Sequence, residues 1–204
     1  MKRSHSMGML AAGMIVLAGF QQASKAPVSA PADPLIEGFR KSTVASVADA
    51  VDQVTGKRGF LSHEFRPRSG GAFVGRAQTA LLKATSPEKA TPALSTKHSV
   101  EMIDQAQPGD VGVIVVEGTL DVAGMGGLMG TAAKARGMAG MVLDGAVRDV
   151  AELRALNLPV VSRSVAPSSS VSRWAGVARN IEVDCGGVKI RPGDIIVAGE
   201  DGVV

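Results

Sequence analysis

The most constraining stretch of the chain runs from Pro108 to Val161. Val111–Val116 is a continuous apolar run opened by the turn Pro108-Gly109-Asp110. Two further short apolar runs follow at Met141–Leu143 and Pro159–Val161. An apolar run without polar alternation suits a strand covered on both faces, as in a parallel sheet. Between the runs lie two helical stretches, Leu128–Arg136 stopped at Gly137, and Asp149–Leu156. Strand, helix, strand, helix, strand at this spacing implies right-handed crossovers and an α/β class with a βαβαβ parallel core.

The flanks add smaller pieces. Leu35, Ile36 and Phe39 stand at helical spacing in a lead-in over 33–41. Ser42 or Thr43 caps a helix carrying Val44, Val47, Ala48, Val51 and Val54 on one face and ended by Gly56. A polar loop to Gly71 follows, then strands at Ala72–Val74 and Gln78–Ala84, a loop over Ser86–Pro92, and a helix over Lys97–Ala106 with Val100, Ile103 and Ala106 inward. Near the end, Ile181–Asp184 and Val188–Ile190 flank Gly186-Gly187, which signals a hairpin. Pro192-Gly193-Asp194 repeats the earlier turn and leads into strand Ile195–Ala198.

Charge argues against a nucleic-acid partner. The chain is formally +3, but three of its 22 basic residues precede the first acidic one, Asp33, which leaves 19 against 19. No electrostatic footprint for a phosphate backbone survives in that body. With no Tyr, one Trp and five Phe, base-stacking platforms are scarce as well. Lys2 and Arg3 precede an apolar run from Met7 to Phe20, too short to span a bilayer as a helix. Small residues and prolines follow, with an Ala30-Pro31-Ala32 cleavage site. This order reads as a signal peptide over 1–32, an exported (periplasmic or secreted) mature protein, and no stable membrane insertion after processing. The lone Cys185 has no partner in its own chain and reads as a small buried hydrophobe.

Ligands of open parallel sheets bind beyond the carboxyl ends of the strands. Two loops lie there. Glu117–Gly127 is rich in glycine and leads into a helix, and Asp144–Asp149 groups Asp144, Arg148 and Asp149. The backbone N–H groups of Gly126, Gly127, Leu128 and Met129 suit a carboxylate or phosphate. Arg148 can grip a carboxylate bidentately, and Asp149 can hold a hard divalent cation such as Mg²⁺ that keeps several waters. Each residue also has a structural reading. Asp149, with Glu152 three residues on, has the pattern of a helix N-cap. Asp144 suits a turn cap, Arg148 a solvated surface, and the glycines close packing. The scattered His5, His63 and His98 have no zinc spacing, Ser168–Ser170 lack a nucleophile elbow, and Arg163, Arg173 and Arg179 read as surface residues.

The stretches GTAAKARGMAGMVLDGAVRDVAELRALNLPVVSR, QPGDVGVIVVEG, GGVKIRPGDIIVAGEDGVV, STVASVADAV and FVGRAQTALL resemble the RraA-like family, which includes the 4-hydroxy-4-methyl-2-oxoglutarate aldolases. The likeness covers 42–204 and is strongest from Pro108 onward. It implies a layered β/β/α domain, assembled as a homotrimer or a dimer of trimers, with the site near the subunit interface. It also implies a metal-dependent class II aldolase that releases pyruvate from 2-keto acids, or decarboxylates oxaloacetate. The resemblance assigns Gly126, Gly127, Leu128 and Met129 to the pyruvate-binding loop. It makes Arg148 the substrate-binding and catalytic arginine, and Asp149 the ligand of a divalent metal, Mg²⁺ above others.

Two departures stand out. Family aldolases carry an acidic residue where this chain has Gly127, which removes the group expected to move the substrate's hydroxyl proton. Glu117 and Asp121 in the preceding loop are the candidates to replace it. The family also continues past the last strand into a C-terminal helix that helps build the neighbouring subunit's site, and here that helix is expected to be missing. The rival expectation is a non-catalytic binding or regulatory protein, since some relatives bind and inhibit a ribonuclease assembly. A methyltransferase activity, also attributed to the family, finds no recognisable cofactor motif.

Overall fold

A computed structural model describes residues 33–204. The signal-peptide expectation for 1–32 falls outside the described residues. Two helices open the described chain, α1 (Pro34–Phe39) and α2 (Val44–Thr55). Thr43, rather than Ser42, caps α2, its Oγ1 accepting from the Ser46 N–H at 3.1 Å, and Gly56 closes the helix in the left-handed conformation. Val47 is buried, but Val54 is 85% exposed, so the inward face is shorter than the sequence pattern suggests. Asp33 ties the lead-in to the body through an ion pair with Arg76 at 2.7 Å.

The strands that follow are β1 (Arg66–Ser69), β2 (Phe73–Ala84), β3 (Val111–Val116), β4 (Ala123–Met125), β5 (Gly140–Val147) and β6 (Val160–Val165). After them come β7 (Trp174–Arg179), β8 (Val183–Cys185), β9 (Val188–Ile190), β10 (Ile195–Gly199) and β11 (Gly202–Val203). Helix α3 (Pro92–Gln105) lies between β2 and β3, α4 (Gly127–Ala135) between β4 and β5, and α5 (Val150–Ala155) between β5 and β6. Nine strands form one sheet, with the path β1-β6-β5-β3-β2-β10-β11, β4 added on β5 and β7 on β2. Strands β2, β3, β5 and β6 are mutually parallel, which is the expected core. Among the described residues no helix is long and apolar enough to cross a membrane.

Several boundaries differ from the expectation. The two short strands expected around Gly75 are one strand, β2. Its first half pairs β10, its second half β7, and β3 lies along its other edge. Gly75 lets the backbone pass because a Cβ there would strike the Gly109 carbonyl. The polar loop before Gly71 contains β1, an antiparallel edge partner of β6. Helix α3 starts earlier than expected because Thr91 caps it and Pro92 takes the first helical position. Its inward residues are Ser95, Ser99, Met102 and Ile103, whereas Val100 is 41% exposed.

The sheet separates two cores. Ile114, Val116, Met141, Leu143 and Val147 face α3, α4 and α5. Val113, Val115 and Val142 face the opposite way, toward the β8–β9 hairpin, Phe65 and strands β10 and β11. This gives the layered β/β/α order. The hairpin turns at Gly186-Gly187, both with positive φ, as its sequence predicts.

Candidate active site

The carboxyl ends of β4 and β5 bring the two candidate loops together. Parallel pairing of β4 with β5 is extended by the Arg148 N–H, which donates to the Met125 carbonyl at 3.1 Å. Just beyond this bond the first chain enters α4 at Gly126-Gly127, and the second enters α5 at Asp149. Asp149 stands at φ 55°, ψ 39°, a left-handed position that costs a non-glycine residue about 1 kcal/mol and that Asp tolerates better than most. That conformation decides where its carboxylate goes. No side chain caps α5. Instead Asp149 Oδ2 accepts the Gly127 N–H at 2.9 Å, across to the start of the neighbouring helix. The capping-box reading of Asp149 and Glu152 is therefore corrected.

Two missing side chains make this approach possible. A Cβ at Gly126 would fall on Asp149 Oδ2 and lie 3.0 Å from both Cγ and Nε of Arg148. A Cβ at Gly127 would fall on the Glu152 carboxylate. Further along α4, a Cβ at Gly130 would fall on Leu153, a fully buried residue of α5. Small residues one turn apart on α4 thus let α5 press against it, and that packing sets the site.

Arg148 Nε lies 3.6 Å from Asp149 Oδ2, too long for a hydrogen bond. Both side chains are about two-fifths exposed, and among the described residues no acceptor holds the terminal nitrogens of Arg148. The amides of Leu128 and Met129 lie in the first turn of α4, where no preceding carbonyl is in reach. The Gly127 amide is already used by Asp149, so the loop offers fewer unengaged donors than its sequence promises. Leu128 is 87% exposed, and Met129 packs partly against the helix-side core.

This donor set fits a hydrated divalent cation. Asp149 keeps Oδ1 unengaged among the described residues, beside solvent. Mg²⁺ is commonly held by one or two carboxylates while it retains several waters, and a single unengaged carboxylate oxygen is compatible with that mode. No group of three or more His, Cys, Asp or Glu that could hold a metal ion comes together among the described residues.

Asp144 does not join this cluster. It shares the parity of Val142 on β5 and so points to the hairpin face. There Oδ1 accepts from Arg163 Nη1 at 2.9 Å and Oδ2 from the Gly186 N–H at 2.6 Å. Arg163 also binds Glu64 at 2.5 Å, so it is no surface ornament. The Arg163 hydrogen bond holds the Glu64 carboxyl below the usual glutamate range. Burial pushes the Cys185 thiol well above its ordinary value, and Asp144 and Asp184 add to it, which leaves the thiol inert. Asp144 and Arg163 line a cleft of about 610 Å³ with Glu117, Leu120 and Glu182. Glu117 turns to Lys83 at 3.0 Å, and Asp121 is exposed with its N–H on Thr119 Oγ1. Neither contacts the Gly126-Gly127 bend. Besides Asp149, the carboxylate against that bend is Glu152, which the sequence pattern offered only as a capping partner.

Comparison with known proteins decides the family. The profile described as RraA-like, Aldolase/RraA, matches residues 44–204. The chain belongs to the RraA-like family. A Halalkalibacterium halodurans relative named "Putative 4-hydroxy-4-methyl-2-oxoglutarate aldolase" is 34% identical over 170 residues, 82% of this chain and 74% of that protein. Among solved structures, Streptomyces coelicolor RraAS2, described as an unusual member of the RNase ES inhibitor RraA family, superposes with a TM-score of 0.74. It is 26% identical, over 87% of this chain and 86% of that one. A Geobacillus kaustophilus protein described as an S-adenosylmethionine:2-dimethylmenaquinone methyltransferase superposes with a TM-score of 0.63. It is 28% identical, over 77% of this chain and 91% of that one. Three different activities are attached to one RraA-like fold, so the function of this member has to be argued from its site.

Proposed function

We propose that this RraA-like protein is a divalent-metal-dependent lyase of the class II aldolase type. It cleaves 4-hydroxy-4-methyl-2-oxoglutarate-like 2-keto acids to pyruvate, or decarboxylates oxaloacetate. The observation that carries the reading is the convergence of the Arg148 guanidinium and the Asp149 carboxylate on the bare start of α4. The aldolase-named relative supports it.

Asp149 would hold the cation through Oδ1 while Oδ2 stays on the Gly127 amide. When bound, Mg²⁺ supplies a Lewis acid for the keto oxygen of the substrate. Arg148, with its fork unengaged, binds the substrate carboxylate and lies beside the charge that develops as the C–C bond breaks. The amides of Leu128 and Met129 orient the same pyruvyl portion from the helix terminus. Assembly as a trimer or a dimer of trimers belongs to the same reading, and light scattering tests it. Export rests on the leader pattern of 1–32, and the mass of the mature N-terminus tests processing after Ala32.

The deciding experiment is oxaloacetate decarboxylation with and without Mg²⁺, comparing the protein with Asp149→Ala. A metal-dependent rate that Asp149→Ala removes is expected. A rate no higher than that of metal in buffer overturns the reading. The second reading, a non-catalytic binding or regulatory protein, is favoured by the RNase-inhibitor description of the Streptomyces relative. It predicts no turnover on any keto acid together with specific capture of a protein partner.

A further inference from the structure

Most arginines of the described residues reach a carboxylate, as Arg40, Arg76, Arg136, Arg163, Arg179 and Arg191 do. Arg148 belongs to the candidate active site, Arg58 covers the Phe60 ring, and Arg173 donates to the Ser168 hydroxyl. That leaves Arg66, Arg68 and Arg154, and these stand together. The register of β1 against β6 slips between Pro67 and Ser69, so Arg68 sits on a bulge, a feature that re-aims side chains at sheet edges. Its guanidinium turns onto β6. Nε donates to the Ser162 hydroxyl and Nη2 to the Ser162 and Arg163 carbonyls, each at 3.0 Å. All these acceptors are neutral, and among the described residues Nη1 has no acceptor and no carboxylate pairs with Arg68. Arg154 Nε donates to the Arg68 carbonyl at 3.0 Å, which brings a second guanidinium to the same bulge. Arg66 is exposed two residues away. It shares a cleft of about 320 Å³ with Asp49 and Asp201 and forms an ion pair with neither. Burial, and after it repulsion from Arg66, holds the Arg68 pKa below the ordinary arginine value. The edge offers a partner little backbone, because Pro67 has no N–H and Arg154 takes the Arg68 carbonyl. What it offers is positive charge without a counter-charge.

We propose that Arg66, Arg68 and Arg154 form an anion site for a phosphate group, either inorganic phosphate or the phosphoryl end of a small ester. A carboxylate brings one negative charge and two oxygens. A phosphate brings up to two charges and at least three acceptor oxygens, which suits several guanidinium forks arriving from a strand and a helix. Arg68 is already fixed by its bonds to β6, so little freedom is lost when the anion arrives. The site is small. Asp49 and Asp201 beside Arg66 oppose an extended polyanion, in keeping with the balanced charge of 33–204. Because Arg154 stands on α5 and Arg66 and Arg68 on β1, the bound anion joins the helix to the edge strand. The site shares no residue with the α4–α5 corner and does not depend on the lyase reading.

The test is isothermal titration of the full chain with inorganic phosphate and with glycerol phosphate, against sodium chloride at matched ionic strength. One anion per chain is expected at this site, and Tm should rise with its concentration. Arg68→Gln and Arg154→Gln should each weaken binding about 10- to 100-fold. Arg68 also holds β6, so Arg66→Gln supplies a variant with no bond to lose in the fold. It should weaken binding about two- to fivefold and leave Tm without ligand unchanged. Arg148→Ala should leave this binding intact. Binding of either phosphate that follows this pattern supports the proposal, and the tighter of the two names the source of the group. Binding lost in Arg148→Ala but kept in the other three variants overturns it, by placing the anion in the candidate active site. No heat beyond that of chloride overturns it as well. So does acetate bound as tightly as phosphate, or a single-stranded RNA oligomer bound far more tightly than either phosphate.

Discussion

Two arginine–carboxylate groups stand beyond the parallel strands, one on the hairpin face and one at the α4–α5 corner. They use the same side chains to opposite ends. On the hairpin face, Arg163 is divided between Glu64 and Asp144, and Asp144 spends its other oxygen on the Gly186 amide. At the corner, Arg148 and Asp149 stand 3.6 Å apart, with the arginine fork and one carboxylate oxygen unengaged. Asp144 is only 12% exposed, where an unpartnered carboxylate is costly, and both of its oxygens are engaged. The corner is two-fifths exposed, so solvent covers that cost and a ligand can take the place of water. Pair chemistry alone does not mark a site; unspent bonding capacity at a wall of bare backbone does.

That contrast predicts activity effects at one group and stability effects at the other. Arg148→Ala should lower kcat/KM for oxaloacetate about 10²- to 10³-fold while the melting temperature stays within about 2 °C. An equal loss of stability would place Arg148 among the structural arginines. Arg163→Ala should do the reverse. Leaving Asp144 short of its partner should cost about 2 kcal/mol, seen as a fall of roughly 4–8 °C in Tm, with the turnover of the remaining folded protein kept. Gly126→Ala is intermediate. Its methyl group would sit against Asp149 and Arg148 and should cost about tenfold in turnover, with little change in Tm.

The smallest effect is a pH dependence at the hairpin face. Arg163 lowers the folded-state pKa of Glu64, so the pair adds stability above the unfolded glutamate pKa. That contribution fades as pH falls through the lower folded value. The stability gap between the protein and Glu64→Gln should therefore be constant near neutrality and close in acid, read by denaturant titration across pH. A gap that widened in acid would reverse the assigned sign.

Much of this was legible along the chain because it is local. The apolar runs at Val111–Val116 and Met141–Leu143, the stop at Gly137 and the Gly186-Gly187 hairpin depend on near neighbours, and each stands where its pattern places it. Strand β7 escaped notice because Trp174–Arg179 is half-exposed and held by β2 rather than by a pattern of its own. Strand β1 escaped for the same reason, with a Pro and two Arg on an edge. Asp144 and Asp149, five residues apart, looked like one cluster. The alternation of β5 and the left-handed turn at Asp149 send them to different sides.

The order of strands and helices, the parallel core and the identity of the groups at the carboxyl edge are written in local pattern, because hydrophobic period and turn chemistry act over a few residues. Which carboxylate meets which partner is not. The pressing of Leu153 onto Gly130 puts Glu152 over Gly127 and Asp149 on its amide, and contact between helices more than twenty positions apart exists only once the sheet has brought them together.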